Sequence, residues 1–147
     1  MTARNDIFDA LLALGAAAQW SGGGFKSATR KFRDFSDFPS EQQPVLIQIE
    51  HKETIVQKTG LPYRRTFDVI WAVYFKSDPS DPESIGSAVM NDIIDALETA
   101  LIPSGPEETQ TLGNRVHHCF ISGAVTKASG DIGGQGVIEI PIQILGP

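Results

Sequence analysis

The chain has 147 residues, 41% of them hydrophobic and 20% charged, with a formal net charge of -6 and a pI near 4.9. That length fits one domain with a real core, and the acidity argues against a nucleic-acid grip and disfavours an anionic-membrane anchor, both of which need a basic footprint. The one cysteine, Cys119, excludes an internal disulfide, and no apolar run reaches the roughly 18 residues of a membrane span.

Thr2 or Asn5 is expected to cap a first helix, with Asp6 and Asp9 in its first turns, where the helix dipole favours negative charge. The same two carboxylates make the N-terminal apolar run unlike a signal peptide. Ile7, Leu11, Leu14 and Ala18 share one face, with Phe8 and Leu12 beside it, and the helix should stop before Ser21-Gly22-Gly23-Gly24, read as a flexible hinge.

Segment 22–44 has no clean period, and a connection of that length is usually functional or disordered. Phe25, Phe32, Phe35 and Phe38 sit among Lys26, Arg30, Lys31 and Arg33. Four phenylalanines argue against plain disorder, and aromatics with arginine are the usual anchors of interfaces. The segment therefore reads as a protein-docking loop that is not core to its own fold.

Pro44 opens a strand over 45–50, with Val45, Ile47 and Ile49 on one face. Residues 51–62 are polar and end in Gly60-Leu61-Pro62, the pattern of a long hairpin arm. The strand that follows, 64–75, is the centre of the chain. Phe67, Val69, Trp71, Val73 and Phe75 fall on one wholly apolar face, which must lie against something. Thr66, Asp68, Ile70, Ala72 and Tyr74 form a mixed face, either half wet or in contact with another protein.

Asp78-Pro79-Ser80-Asp81-Pro82 breaks the chain, and Ser80 or Asp81 caps a second helix over 83–101 with Pro82 near its first position. Val89, Met90, Ile93, Ile94, Leu97 and Leu101 lie on one side of that helix. Asn91, Asp95, Glu98 and Thr99 lie on the other, so the apolar side belongs on a sheet. A third strand is expected over 115–126 and a last one over 137–145. In the last, Ile138, Ile140, Ile142 and Ile144 make one apolar face. Pro141 cannot donate to a ladder, which predicts an edge or a bulge that a neighbouring subunit or loop covers. The element order α-β-β-α-β-β gives an α+β domain. Its simplest form is a four-stranded, mostly antiparallel sheet with both helices on its apolar face.

No catalytic constellation emerges. On a strand, His117 and Cys119 share a face that His118 does not, and the only other histidine is His51. A zinc site usually has four ligands at set spacings, so these read as strand residues. Ser21-Gly22-Gly23-Gly24-Phe25-Lys26-Ser27 lacks the spacing of a phosphate loop and follows a helix, where a phosphate loop follows a strand. Ser122-Gly123 lacks the setting of a nucleophile elbow. Asp92 and Asp95 read as part of a solvated helix face. These readings name no catalytic, cofactor or metal residue. The candidate protein-contact residues are Phe25, Phe32, Arg33, Phe35 and Phe38, with Ile55 and Leu61 in the arm and Pro141 in the last strand.

Three stretches carry a family resemblance: Gln43-Pro44-Val45-Leu46-Ile47, then Thr66-Phe67-Asp68-Val69-Ile70-Trp71-Ala72-Val73-Tyr74, then Val116-His117-His118-Cys119-Phe120-Ile121-Ser122-Gly123 with Gly136-Val137-Ile138-Glu139-Ile140-Pro141-Ile142. In hydrophobic pattern and spacing the chain resembles the tail terminator proteins of long-tailed bacteriophages, also called tail completion or minor tail protein U. The resemblance implies a non-enzymatic virion protein without cofactors, assembled in the host cytoplasm. It implies a homohexameric ring on the head-proximal end of the tail tube. One ring face would meet the tube protein and stop its polymerisation. The other would meet the neck or head-completion protein, and DNA would pass through the hole without being specifically bound. The residues also leave open another head-tail connector or neck protein, and a non-viral ligand-binding α+β domain.

Overall fold

The computed structural model describes residues 3–31, 42–76, 87–103, 109–128 and 135–146. Helix α1 (Ala3–Ala16) is followed by strands β1 (Gln19–Trp20), β2 (Gly23–Gly24), β3 (Ser27–Thr29), β4 (Val45–Val56) and β5 (Arg64–Lys76). Then come helix α2 (Ser87–Leu101) and strands β6 (His118–Ile121), β7 (Thr126–Ala128) and β8 (Gln135–Leu145). The fold is α+β. Its main sheet has six strands in the order β3-β4-β5-β8-β6, with β7 also paired to β8. Strand β3 runs parallel to β4, and all other pairs are antiparallel.

The expectation of a four-stranded antiparallel sheet is therefore corrected. Its four strands form the body, but β3 is only three residues long, too short to show a period of two in the sequence. The expected third strand is also split in two.

The alternation read in β5 places its side chains as expected. Phe67, Val69, Trp71, Val73 and Phe75 are buried together with Ile138, Ile140, Ile142 and Ile144 of β8. Register sets them side by side, with Trp71 opposite Ile140 and Val69 opposite Ile142. Both helices pack on this face. Helix α1 contributes Ile7, Phe8 and Leu11, and α2 contributes Met90, Ile93, Ile94, Leu97 and Leu101. Each fully buried side chain of this size contributes about 1.5–3 kcal/mol relative to exposure. The approach of α1 depends on Gly15, where a Cβ would lie 2.8 Å from Trp71 Cζ2 and 2.9 Å from Leu46 Cδ2.

One polar residue sits inside this core. Gln48 is fully buried, accepts a hydrogen bond from Trp71 Nε1 at 3.0 Å and donates to the Phe8 carbonyl at 2.8 Å. It satisfies the indole and ties α1 to the sheet, since a buried polar group is tolerated only when bonded.

The opposite face is divided. At one end Val45, Ile47, Ala72 and Tyr74 form a second buried cluster within the chain. Toward the other end Thr66 and Asp68 are half-exposed and Lys52 and Thr54 are exposed. The expected mixed face is thus dry at the start of β4 and wet at its end.

Strand β8 is central, not an edge, which corrects the reading of Pro141. It pairs with β5 along its length and with β6 and β7 on its other side. The β6 ladder ends at Ile121 opposite Ile142, and the Pro141 carbonyl accepts one last bond from the Ser122 amide at 3.0 Å. Pro141 cannot return that bond, so pairing stops there and resumes only at Thr126 opposite Glu139. Between them Gly123 adopts φ +114, and a Cβ there would lie 3.3 Å from Pro141 Cγ. The missing amide hydrogen falls at the gap between two short strands, opposite Ser122, which is exposed.

Three further expectations change. Helix α1 ends at Ala16, and the glycine stretch is a tight hairpin, with Gln19 opposite Gly24 and Trp20 opposite Gly23, where a flexible hinge was expected. Asn5 lies inside α1 and not at its cap; Thr2 lies outside the described residues. The α2 cap candidates Ser80, Asp81 and Pro82 also lie outside the described residues.

Candidate protein-contact site

Strands β4 and β5 outrun the rest of the sheet. Strand β3 borders β4 only at Val45, Leu46 and Ile47. On the other side β8 reaches Thr66, and the Gly146 amide then bonds the Arg65 carbonyl at 2.8 Å. Ile55 pairs with Arg65 at that line, and beyond it Val56 pairs with Arg64 as the chain continues in a two-stranded arm. The arm closes through a tight turn in which the Leu61 amide bonds the Lys58 carbonyl at 2.9 Å. Gly60, at φ +81, supplies the left-handed third position that such a turn requires.

Ion pairs fix the root of the arm. Arg4 reaches from α1 with two nitrogens to the two Glu53 oxygens, each at 3.0 Å, and Arg65 approaches the same carboxylate at 3.5 Å. Lys52 pairs with Asp68 at 3.6 Å. The hydrogen bonds from Arg4 hold the Glu53 carboxyl below the usual carboxylate range, and the Arg4 guanidinium is raised in turn. Pairs this exposed orient the strand more than they stabilise the fold. The break in register at Glu50/Lys52 bends β4 where the arm leaves the sheet.

The tip is apolar and wet. Ile55 is 50% exposed, Val56 48%, Leu61 53% and Tyr63 55%. A two-stranded ribbon carrying such side chains is at best marginally stable in water on its own. Single exposed apolar residues are ordinary, but a cluster of them marks a contact surface. The arm is also basic. Residues 51–65 carry Lys52, Lys58, Arg64 and Arg65 against Glu53, a net +3; the whole chain is -6, so the remainder carries -9.

The structure brings together only part of the expected contact set. Ile55 and Leu61 both lie exposed in the arm. Val56, Tyr63, Lys58 and Arg64 join them there, although the sequence reading did not single them out. Their signal was the density of cations in an otherwise acidic chain. Phe25 is half-buried, edge-on to Trp20 at 5.1 Å, and packs against the main core. The expectation that segment 25–38 stands apart from its own fold is thus corrected at its first member.

Arg30, from the same segment, is engaged within the chain. It bonds Asp9 at 2.9 Å and Asn5 at 3.2 Å, pairs with Glu50, and lies over the Phe8 ring. Burial opposes its charge, but the bonds to Glu50 and Asp9 outweigh this and raise its pKa. Phe32, Arg33, Phe35 and Phe38 lie outside the described residues. Pro141 is half-buried under Gly123 and is no subunit edge.

The groups weighed for chemistry are dispersed. His117 is exposed, and His118 accepts a bond from the Gln110 amide at 3.2 Å while its ring lies 4.9 Å from Phe120. Cys119 is buried on the helix-covered face, and burial pushes its thiol up to about 12. Among the described residues no group of three His, Cys, Asp or Glu side chains could hold a metal ion. Among them, too, no helix is long and apolar enough to cross a membrane. The depression lined by Arg30, Lys31, Ile49 and Glu50 is open, and the pairing of Arg30 with Glu50 occupies two of its charges.

Compared with models of known protein families and with curated proteins, the chain matches none.

Proposed function

We propose that this chain is a structural virion subunit of the tail-terminator kind. Six copies form a ring on the head-proximal end of a phage tail tube, stop its polymerisation and join it to the neck or head-completion protein. The observation that carries the reading is the arm: a basic ribbon with an exposed apolar tip on an acidic, well-packed body. That is how a subunit built to contact other proteins would look, and the hydrophobic patterns shared with tail terminators name the kind of assembly. A ring is the natural product of head-to-tail contacts that close.

The role is mechanical, with no reaction and no cofactor. DNA passes through the hole without being held, which the acidic balance favours, since a basic lining would trap duplex through many phosphate contacts. The protein is then found at the neck of the virion tail. The test is electron microscopy of particles assembled without this chain. Tails of uncontrolled length that fail to join heads are expected. Normal tails joined to full heads would overturn the reading. A five- or twelve-fold ring in the virion would point instead to another connector.

A further inference from the structure

Among the described residues two groups of unpaired like charges stand out, while Asp6, Lys26, Lys31, Lys76, Arg115 and Glu139 are single unpaired charges outside them. Among the described residues, Asp9, Glu50, Glu53 and Asp68 each have a cationic partner within the chain. Asp92, Asp95 and Glu98 have none, and all three are exposed on the outer side of α2. Their spacing puts them in one stripe with Asn91, Thr99 and, just past the helix end, Ile102, which is 64% exposed; Lys127 donates to Asn91 Oδ1 at 3.2 Å at the start of the stripe, so its anionic character lies toward the helix end. The last turn of α2 holds no basic residue, so the negative end of the helix dipole adds to the stripe uncompensated. On the arm, Lys52 and Arg65 are paired at the root, whereas Lys58 and Arg64 at the tip have no ion pair among the described residues. One surface is therefore cationic and apolar at the arm tip, and the other sets three carboxylates against the one lysine at its start and ends in an apolar residue.

We propose that the arm tip of each subunit, through Lys58, Arg64, Leu61 and Tyr63, docks on the outer face of α2 of a second copy, against Asp92, Asp95, Glu98 and Ile102. This deepens the ring reading and rests on it, because it names the contact by which neighbours join. Arm and acceptor are different patches of one chain, so the contact is head-to-tail and can propagate around a ring. Opposite charges steer the encounter and fix the register. Tyr63 and Leu61 supply the area that excludes water, and tyrosine and arginine are the residue types that most often anchor such contacts. The same docking removes the exposed apolar tip from water.

The experiment uses the full chain and measures its mass by light scattering across concentration, with charge reversal on each side. The wild type is expected to associate, and less so as salt rises. The variant Lys58→Glu/Arg64→Glu and the variant Asp95→Lys/Glu98→Lys should each weaken association by about tenfold or more. Mixing the two variants should restore it, because every arm then meets an oppositely charged helix. All four positions are exposed, and circular dichroism checks that each variant is folded.

A second measurement detects contact even where association is weak. Tyr63→Cys combined with Glu98→Cys should yield a ladder of disulfide-linked copies under mild oxidation, while each single change should stop at dimers. Cys119 is buried and gives no background. Three outcomes overturn the proposal: single reversals that associate like the wild type, mixing that restores nothing, or a wild type that does not associate together with a double-cysteine chain that does not cross-link. A ring indifferent to the reversals would overturn this contact and leave the tail-terminator reading standing. Normal particles made without the chain would overturn that reading and leave this contact standing.

Discussion

Replacing Gln48 by Leu tests the account of the core most sharply, because the change keeps size and removes only the bonds. Two buried groups lose a partner. The Trp71 indole N–H gives its one hydrogen to Gln48 Oε1, and an orphaned buried donor costs about 1–3 kcal/mol. The Phe8 carbonyl keeps its helical bond four residues on, so its loss is at the low end, about 0.5 kcal/mol. Leu is better suited than an amide to an apolar site, which offsets part of this. The net expectation is about 1–3 kcal/mol of destabilisation. At this chain length each kcal/mol lowers Tm by roughly 2–4 °C. Urea unfolding followed by tryptophan fluorescence measures it. The decisive arm is the same substitution in a Trp71→Phe background. There the donor is already gone, and the cost of Gln48→Leu should fall below about 1 kcal/mol. Equal costs in both backgrounds would refute the idea that Gln48 is retained for the indole.

Ile93 is fully buried under α2, so Ile93→Asp should cost about 4 kcal/mol or more; an unchanged melting temperature would mean that α2 presents another face to the sheet. At Gly136 a Cβ would overlap the Phe75 ring. Gly136→Ala should therefore destabilise by about 1–3 kcal/mol, and adding Phe75→Leu should recover part of that loss, whereas purely additive costs would argue against the overlap. The Cys119 thiol, pushed up to about 12 by burial from an ordinary 9.0, should resist a thiol reagent at pH 8 in the native protein. In the unfolded chain it ionises first, so the stability of the wild type relative to Cys119→Ala should decline as pH rises through that window, and a flat difference would count against burial as the cause. The Glu53 carboxyl is depressed below its ordinary 4.5. Its contribution relative to Arg4→Met should thus be present above that value and fade as pH falls below it, as read from acid-dependent thermal melts.

The sequence by itself determined which faces are buried. The alternation of Phe67, Val69, Trp71, Val73 and Phe75, the four isoleucines of β8 and the apolar side of α2 all pack as their periods require. A period of two or 3.6 is a local property of the chain, and burial of the apolar side is what gives it meaning. Part of the candidate site was legible in the same way, since a polar stretch ending in Gly60-Leu61-Pro62 between two strands is a hairpin. Its reach was not legible, because that depends on where β3 and β8 stop beside it.

Only the tertiary structure decided who lies next to whom. Pro141 looked like an edge residue, yet its missing hydrogen falls opposite the exposed Ser122, just past the end of β6, where a central strand tolerates the lost bond. Phe25 and Arg30 looked like docking residues, yet Trp20, Phe8, Asp9 and Glu50 are brought to them by elements distant in sequence. Nothing in the local pattern marks Gln48, which the fold sets between the Trp71 indole and the Phe8 carbonyl. Side-chain period is written along the chain, whereas pairing partners, strand edges and charge partners come from contacts between segments that meet only on folding.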